Sequence, residues 1–404
     1  MTTIEDRIEN PTGCPVTNYD QVSASSAPAG WHFDNFDAKR EEGAVHTGVA
    51  GQYQYFLVTR MAEIRKAFQT PTIFSNTAVS PADPNPPYRW IPEMLDGHLH
   101  TAWRQLLGPL FTPAAIDKLQ PKVRQLFAEI LDGIAARGSC DFVRDVALVF
   151  PNVIFMDIMG LPRQDAEKFQ QWEVDILHHE FETPEGQQRQ MDAMMAVVGY
   201  FSDLIKVRRD DPQDDLLSQA IGWQIDGAPI PDQDLLDFCL LMFMAGLDTV
   251  AAQLSYSFWH LARHDDDRRR IVAEPELIPT AIEEFLRYYS FVTPGRKVIQ
   301  DTEIAGCPVK AGQMVYLPIV AANRDPREFE NADSVIIDRE SNRHIAFGAG
   351  PHRCVGSHLA RQELRVAMEM WHERIPEYRI ADGAEIIEHG GQIGINSLPL
   401  VWDV

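Results

Sequence analysis

The sequence predicts a mainly α-helical domain with a smaller β-rich region. Apolar residues recur at helical spacing through most of residues 97–289. Strand-like runs are short and occupy residues 296–299, Val309, residues 314–318 and residues 395–401. No break in composition marks a linker, and neither an internal repeat nor a low-complexity tract occurs. These observations favour one domain over residues 31–404.

Fewer elements are expected before residue 97. Residues 1–30 are polar and rich in Ser, Ala and Pro, and we expect a flexible arm there. A strand-like run at residues 52–58 precedes a helical pattern at residues 61–68. Residues 81–92 contain repeated prolines, which predict a loop that can act as a lid.

The longest helical pattern runs from about residue 231 to residue 263, which corresponds to roughly 50 Å of helix. Its middle is nearly all apolar, as is typical of a buried helix. We expect one continuous helix through the core. We also expect that no apolar run reaches transmembrane length.

The net charge of the chain and its N-terminal residues indicate where in the cell the protein is located. The 404 residues carry a formal net charge of -23, which argues against nucleic acid and anionic membrane surfaces as partners. The first residues lack the basic region and apolar core of a signal peptide. We therefore expect a cytoplasmic protein without a membrane partner.

Five cysteines occur, without a C-x-x-C pair: Cys14, Cys140, Cys239, Cys307 and Cys354. An odd number with these spacings predicts neither a disulfide framework nor a zinc site. We expect only Cys354 to carry chemistry.

Residues 347–356, Phe-Gly-Ala-Gly-Pro-His-Arg-Cys-Val-Gly, place Cys354 on a glycine-rich loop just before a helical pattern. Unpaired amides and the dipole at a helix N-terminus favour a thiolate. A lone cysteine is more often a small buried hydrophobic residue. A dinucleotide-binding loop is a further alternative, but the third glycine of that motif is missing. The loop favours a cysteine that binds a metal.

This loop resembles the haem-binding loop of the cytochrome P450 monooxygenases, and the resemblance extends from about residue 50 to the C-terminus. It implies a P450-type helical domain that binds haem b (iron protoporphyrin IX), with Cys354 as the metal ligand. It also implies that Phe347, Gly348 and Gly356 help to bind the cofactor.

Residues 245–249, Ala-Gly-Leu-Asp-Thr, form a second motif inside the long helix. Gly246 leaves room for a flat cofactor, and Thr249 can bond back to a carbonyl one turn earlier. A helix that only bends around the core is an alternative. The family resemblance implies that Asp248 and Thr249 deliver protons during activation of dioxygen, and that Ala245 and Gly246 contact the haem.

Four basic residues match family positions that bind the haem carboxylates: His100, Arg104, Arg296 and His352. Each alone is typical of ordinary surface charge. Their joint offsets favour a carboxylate-binding cluster.

Glu284 and Arg287 are three residues apart, so they can pair on one face of a helix. Such pairs are usually exposed and weak. The resemblance implies that this pair is buried, that Arg339 joins it, and that the three residues have a structural role in holding the cysteine loop.

Two segments, residues 88–92 and 397–402, are similar to segments of the camphor hydroxylase branch. The resemblance implies insertion of one oxygen atom from O2 into a small hydrophobic, terpenoid-like substrate. The candidate pocket residues are mainly apolar or aromatic: Tyr88, Trp90, Leu241, Met244, Val292, Pro294 and Ile393.

The segment from Arg339 to Arg365 is rich in arginine, although the chain as a whole is acidic. No flavin or ferredoxin sequence occurs in these 404 residues, so we expect electrons to come from a separate protein. The resemblance implies an acidic [2Fe-2S]-type ferredoxin, served by a ferredoxin reductase. The expected docking residues are basic: Arg104, Arg343, Arg353 and Arg361.

Two alternatives stay open. One is a peroxygenase, or another haem-thiolate enzyme that needs no redox partner. The other is a haem-based sensor or carrier without turnover. The pair Asp248 and Thr249 favours a dioxygen-using enzyme over both.

Overall fold

The computed structural model describes residues 14–17, 26–50, 53–80, 83–177 and 183–404. Its α-helices are α1 (Trp31–Glu42), α2 (Met61–Gln69), α3 (Gly97–Leu107), α4 (Pro113–Ile134), α5 (Val149–Met159), α6 (Ala166–Leu177), α7 (Pro184–Asp210), α8 (Leu216–Ile221), α9 (Asp232–Gly246), α10 (Asp248–Arg263), α11 (Asp265–Ala273), α12 (Ile278–Tyr288), α13 (Ile319–Asn323) and α14 (Ser357–Arg374). Its β-strands are β1 (Ala27–Pro28), β2 (Val45–Ala50), β3 (Tyr53–Val58), β4 (Phe74–Ser75), β5 (Ser139–Asp141), β6 (Gln224–Ile225), β7 (Ala228–Pro229), β8 (Gly295–Val298), β9 (Thr302–Ile304), β10 (Cys307–Val309), β11 (Met314–Tyr316), β12 (Arg379–Ile380), β13 (Ile387–His389), β14 (Gly394–Ile395) and β15 (Pro399–Val401). Helices predominate, which confirms the predicted fold class.

The largest sheet brings distant parts of the chain together in the order β2-β3-β11-β8-β4. Strand β11 runs parallel to β3, with Met314 opposite Tyr55, and antiparallel to β8, with Met314 opposite Lys297. The early strand, the early helix and the strands near residues 296, 309 and 314 are therefore present where the sequence predicts them.

The strand predicted at residues 395–401 is wrong as one element. The segment forms β14 and β15, which belong to different three-stranded sheets. Between them, Ser397 Oγ and Leu398 N donate to the Asp141 carboxylate at 2.8 and 3.0 Å. These bonds direct the chain from β13 towards β5.

The central helix is interrupted, so the prediction of one continuous helix is also wrong. Helix α9 ends at Gly246, and α10 begins at Asp248. Thr249 Oγ1 donates to Ala245 O at 3.0 Å across this break, as the sequence predicts. A side chain that bonds one turn back competes with the backbone ladder and bends a helix. Beyond the break, the residues of α10 from Val250 to Ala262 are all buried, and they form the centre of the core.

The expectation that no apolar run reaches transmembrane length is wrong. The segment Asp232–Arg263 is long enough, and its most apolar stretch apolar enough, to cross a membrane. However, 67% of that stretch is buried inside the protein. That burial is typical of a helix in a protein core.

The predicted flexible arm is held in place where the structure describes it. Thr17 N donates to Thr47 O at 2.7 Å. Strand β1 pairs with β13, with Ala27 opposite Glu388. For residues 14–17 and 26–30 the prediction is therefore wrong, and residues 1–13 and 18–25 lie outside the described residues.

The cysteine prediction is wrong for one pair. Cys14 and Cys307 form a disulfide, with their Cα atoms 6.5 Å apart and a sequence separation of 293. The bond joins the N-terminal segment to the β9–β10 hairpin. Cys140, Cys239 and Cys354 are free.

Candidate active site

Cys354 lies in a tight loop immediately before α14. Its backbone N–H donates to Phe347 O at 2.9 Å, which closes the loop. Gly348 and Gly350 have φ angles of 73° and 74°, a left-handed conformation that favours glycine. Helix α14 follows with Gly356 as its N-cap, so the predicted position of the cysteine near a helix N-terminus is confirmed.

The loop also packs tightly against α2. A Cβ atom added at Gly350 would collide with the carbonyl of Phe68 and would lie 3.0 Å from Gln69 Cα. The guanidinium of Arg361 lies over the Phe347 ring, 4.4 Å from its centroid. Both contacts limit the conformations that the loop can adopt.

The protein does not by itself favour a thiolate at Cys354. The side chain is exposed, but desolvation by nearby protein atoms still raises the pKa of the thiol. The Gly356 amide and the charges of Arg104 and Arg353 act in the opposite direction, while Glu93 adds to the increase. The amide at the N-terminus of α14 therefore lowers the pKa of Cys354, but desolvation raises it by more. A metal ion that binds a thiol deprotonates it.

Glu284, Arg287 and Arg339 form one buried network. Arg287 Nε and Nη2 donate to the two Glu284 carboxylate oxygens at 2.8 and 2.7 Å, and both side chains are fully buried. Arg339 Nε donates to Glu284 Oε2 at 2.9 Å. The structure thus brings together the three residues that the sequence predicts to meet.

The network extends to the segment that leads into the cysteine loop. Arg287 also donates to the carbonyls of Asn323, Ala332 and Ser334 at 3.0, 2.9 and 2.7 Å. Asn342 Nδ2 donates to Glu284 Oε2 at 3.1 Å, five residues before Phe347. The paired charges therefore fix backbone that continues into the loop.

Sequence analysis missed two residues that support the site. Asn323 Oδ1 accepts from Ile345 N at 2.8 Å, two residues before the loop. Asp96 accepts from Ser75 Oγ at 2.5 Å and lies 3.2 Å from His352 Nε2. A polar residue at the end of the apolar run 319–322 was the available signal for Asn323, whereas Asp96 shows only the pattern of a helix cap.

Three of the four predicted carboxylate-binding residues lie near one another and near the loop. The His100 and His352 rings lie 3.9 Å apart, and Arg104 Nη2 donates to Arg353 O at 2.7 Å. Burial, together with the charges of His352 and Arg104 and in spite of the opposing charge of Asp96, lowers the pKa of His100 to about 4. His100 is therefore neutral at neutral pH.

Arg296 is the fourth member, and it is only 5% exposed. Its side chain donates to Gly295 O at 2.7 Å and forms no ion pair among the described residues. Burial lowers its pKa to about 10, while the charges of Glu93 and Asp96 oppose this change. A buried guanidinium needs a charged or hydrogen-bonding partner. The carboxylate of a bound cofactor fits this requirement.

One face of the interrupted helix is open. Ala245 is exposed and Thr249 is half-buried, although most residues of α9 and α10 are buried. Leu241, Ala245 and Thr249 are spaced one turn apart, so they lie on the same face. Asp248 lies on another face and is only 2% exposed.

Gly246 also has a packing role that the sequence does not predict. A Cβ atom added there would lie 3.0 Å from Phe155 Cδ2 on α5. The missing side chain therefore makes room for the Phe155 ring. Contact between Gly246 and a flat cofactor stays a prediction.

The predicted pocket residues divide into two groups. Tyr88, Trp90, Met244, Val292 and Pro294 are half-buried, and the Tyr88 and Trp90 rings lie 5.3 Å apart. Leu241 is 9% exposed. Ile393 is fully buried in the main core, and its place on the pocket stays a prediction.

Arg361 is not available for docking in the way the sequence suggests. Its guanidinium forms a two-pronged ion pair with Glu283, at 2.5 and 2.8 Å. Burial alone would raise the pKa of Glu283. Hydrogen bonds from Arg361 and His344 outweigh this effect and lower the pKa to about 2. Arg343 and Arg353 are exposed, whereas Arg104 is half-buried.

These residues fit a haem group on three independent grounds: one exposed thiol in a rigid loop, a buried guanidinium without an acidic partner among the described residues, and an open face on the central helix. Comparison with known proteins agrees. A family model described as Cytochrome P450 matches residues 29–371. The chain belongs to the cytochrome P450 family.

Individual relatives cover most of the chain. It is 33% identical over 350 residues to "Probable cytochrome P450 127A1" of Sinorhizobium fredii, a match that covers 86% of this chain and 83% of the relative. It is 32% identical over 352 residues to "Steroid C26-monooxygenase" of Mycolicibacterium smegmatis, covering 85% and 86%. The crystal structure of CYP101J2 superimposes with a TM-score of 0.86 at 29% identity, covering 98% and 100%.

The family settles the general chemistry. The protein is an oxidoreductase that uses oxygen, and its cofactor is haem b bound through a cysteine thiolate. Membership of the family also implies a redox partner.

Gly350 offers a test of the loop, because Gly383 is a matched control. Both residues are exposed and have φ near 75°, but a Cβ atom at Gly383 meets nothing within 4 Å. We expect Gly383→Ala to lower the free energy of unfolding by about 1–2 kcal/mol, the cost of a left-handed alanine. Gly350→Ala adds the collision with Phe68, for a total of about 2–5 kcal/mol. Urea unfolding and haem content measure both effects. Equal losses in the two variants would contradict the packing of the loop on α2.

Proposed function

We propose that this protein is a haem-thiolate monooxygenase in which Cys354 is the axial ligand. The observation that carries the proposal is the buried guanidinium of Arg296, which has no acidic partner among the described residues. Glu93 acts electrostatically on both Arg296 and Cys354, and Arg104 acts on Cys354, so the basic cluster and the thiol share one region. His100, Arg104, Arg296 and His352 would hold the haem carboxylates. The network of Glu284, Arg287 and Arg339 would fix the loop below.

When bound, the haem supplies the redox chemistry that activates dioxygen. The chain contributes orientation, exclusion of water and proton transfer. Thr249 Oγ1 bonds to Ala245 O at 3.0 Å on the open helix face, and its hydroxyl can pass on a proton by rotating away. Asp248, the preceding residue, is a buried acid that can supply that proton.

The two alternative functions make different demands on Asp248 and Thr249. A peroxygenase, or an enzyme that rearranges its substrate, does not need Asp248 and Thr249 for proton delivery. A sensor or carrier needs neither protons nor electrons. The acid and the hydroxyl group next to the open helix face therefore favour the monooxygenase.

The spectrum of the reduced, carbon-monoxide-bound protein tests the assignment of Cys354. We expect a strongly red-shifted Soret band, which Cys354→Ser abolishes and Cys140→Ser, a change at another free cysteine, preserves. With a reduced ferredoxin and isotopically labelled dioxygen, one labelled oxygen atom should enter the product. A histidine-like Soret band in the unaltered protein would refute the ligand. Equal turnover with peroxide and no ferredoxin would favour the peroxygenase.

For the substrate, we propose a compact terpenoid-like molecule with one polar group, as in the camphor hydroxylase branch. The likeness to CYP101J2 at 29% identity supports the branch. The half-buried residues Tyr88, Trp90, Met244, Val292 and Pro294 offer apolar surface and one phenol. The backbone of Val292 and Pro294 is fixed by bonds from Ile319 N and Leu317 N at 3.1 and 3.0 Å. Such a rigid wall suits a compact ligand.

Tyr88→Phe tests this assignment. Removal of the phenol should weaken binding of a monoterpene ketone by about 3- to 10-fold, the value of one hydrogen bond, and should leave binding of the parent hydrocarbon unchanged. The low- to high-spin shift of the ferric protein reports both affinities. Tyr53→Phe, at a half-buried tyrosine on β3, is the control. Equal loss for ketone and hydrocarbon would remove the hydroxyl group of Tyr88 from the site.

For the electron donor, we propose an acidic [2Fe-2S] ferredoxin that docks near Arg104, Arg343 and Arg353, in a cytoplasmic protein. Arg343 is exposed and forms no ion pair among the described residues, so it offers the cleanest test. We expect Arg343→Glu to slow reduction by such a ferredoxin about 10-fold at low ionic strength, with the difference shrinking as salt rises. Arg189→Glu, at an exposed site on α7, should have no effect. A salt-independent defect would contradict electrostatic docking.

A further inference from the structure

Helix α6 carries a carboxyl group that the proposed chemistry has not used. Glu173 is only 1% exposed, and neither of its carboxylate oxygens has a hydrogen-bond partner among the described residues. Buried polar groups are nearly always hydrogen-bonded, because desolvation without a partner is costly. An isolated buried acid of this kind calls for a functional explanation.

The packing of α6 directs Glu173 towards the break in the central helix. Phe169, one turn before Glu173, has its ring centre 5.7 Å from that of Phe243 on α9. Phe155 on α5 contacts both rings, at 6.3 and 6.5 Å. Residues four apart lie on the same helix face, so Glu173 faces the same neighbour as Phe169. Asp248, the first residue of α10, is the charge that acts on Glu173.

We propose that Glu173 and Asp248 form a carboxyl pair that shares a proton, and that Glu173 is a positioning residue which acts through Asp248 in proton delivery. The proposal rests on the monooxygenase function proposed above. It extends the two-residue relay on the central helix to a third residue on a different helix.

The physical basis is mutual repulsion in a dry environment. Two neighbouring carboxylates with little access to water do not ionise together, so the pair keeps one proton at neutral pH. Burial, with a further contribution from the charge of Asp248, raises the pKa of Glu173 well above its usual range. Glu173 is therefore a neutral acid with an O–H group to donate.

The proton balance is simple. The single proton of the pair starts on Glu173, whose O–H bond breaks as a new O–H bond forms on the Asp248 carboxylate, and Asp248 then passes that proton on. The negative charge moves to Glu173, and a proton from water then restores it. No electrons are exchanged, and the oxidant and the reductant remain those of the parent reaction.

Glu173→Gln tests the pair, because glutamine keeps the size and neutrality of the side chain but cannot exchange a proton. Glu167→Gln, at an exposed glutamate on the same helix, is the matched control. In infrared spectra at neutral pH, we expect the C=O stretch of a protonated carboxylic acid in the unaltered protein and in the control. Glu173→Gln should remove one such component. The contribution of Glu363, a second buried acid with a strongly raised pKa, should remain in all three proteins.

In turnover, we expect Glu173→Gln to lower the product formed per electron about tenfold, with peroxide released instead, and to change the solvent deuterium isotope effect. This is less than the effect of a group that transfers the proton directly, at least about 100-fold. Glu173→Asp retains an acid and should recover part of the yield. Asp248→Asn should move the pH midpoint of the Glu173 infrared component downwards, since a repelling charge is removed.

Two results would overturn the proposal. One is the absence of a Glu173 component from the infrared spectrum, which would mean an ionised side chain. The other is an unchanged product yield and isotope effect in Glu173→Gln, which would reduce Glu173 to a structural residue. Failure of the monooxygenase function is separate, because it appears as a wrong carbon monoxide spectrum in the unaltered protein. If the glutamine variant does not fold, the aspartate variant and the Asp248→Asn infrared shift decide the question.

Discussion

The buried guanidinium of Arg287 constrains the architecture around the cysteine loop. It uses its donors on the Glu284 carboxylate and on three backbone carbonyls, those of Asn323, Ala332 and Ser334. Removal of one partner from such a buried pair typically costs about 3–5 kcal/mol, because the remaining charge is left without compensation. Glu284 in turn binds Arg339 and Asn342. The irregular segment before the cysteine loop can therefore hold a fixed conformation, because these charged groups form the hydrogen bonds with its backbone that a helix or a sheet would otherwise provide.

The central helix has two functions that conflict. It must bury an apolar surface to form the core, and in the proposed mechanism it must also leave an open face with a hydroxyl group for chemistry. The break at Leu247 separates these functions, since α10 is almost completely buried whereas the end of α9 has Ala245 exposed. Phe155 fills the space beside Gly246 on the closed side. The bond from Thr249 to Ala245 O then stabilises the break and holds the hydroxyl group in one place.

Contacts set by local spacing could be predicted from the sequence, and contacts between distant segments without a motif could not. The cysteine loop, the helix after it and the pair of Glu284 and Arg287 follow from short offsets. The disulfide of Cys14 and Cys307 joins residues 293 apart, and the pairing of Arg361 with Glu283 depends on how two helices pack. Glu173 gave no signal because one glutamate on an amphipathic helix looks like surface charge until its burial is known.

The segment that carries Tyr88 and Trp90, which we propose selects the substrate, has little regular structure but is tied to α9. Arg89, between the aromatic residues of the lid, donates to Asp234 at 2.7 Å and to Asp237 at 3.1 Å, both on α9. Ion pairs of exposed side chains are weak, about 0–1 kcal/mol, but the Asp237 side chain is only 8% exposed. The segment proposed to border the substrate is therefore tied to α9, which ends just before the break that precedes Asp248 and Thr249 on α10. In the proposed mechanism, a substrate that displaces this segment acts on α9 and, through the bond from Thr249 Oγ1 to Ala245 O, on the residues proposed to deliver protons, so selectivity and oxygen chemistry would be coupled.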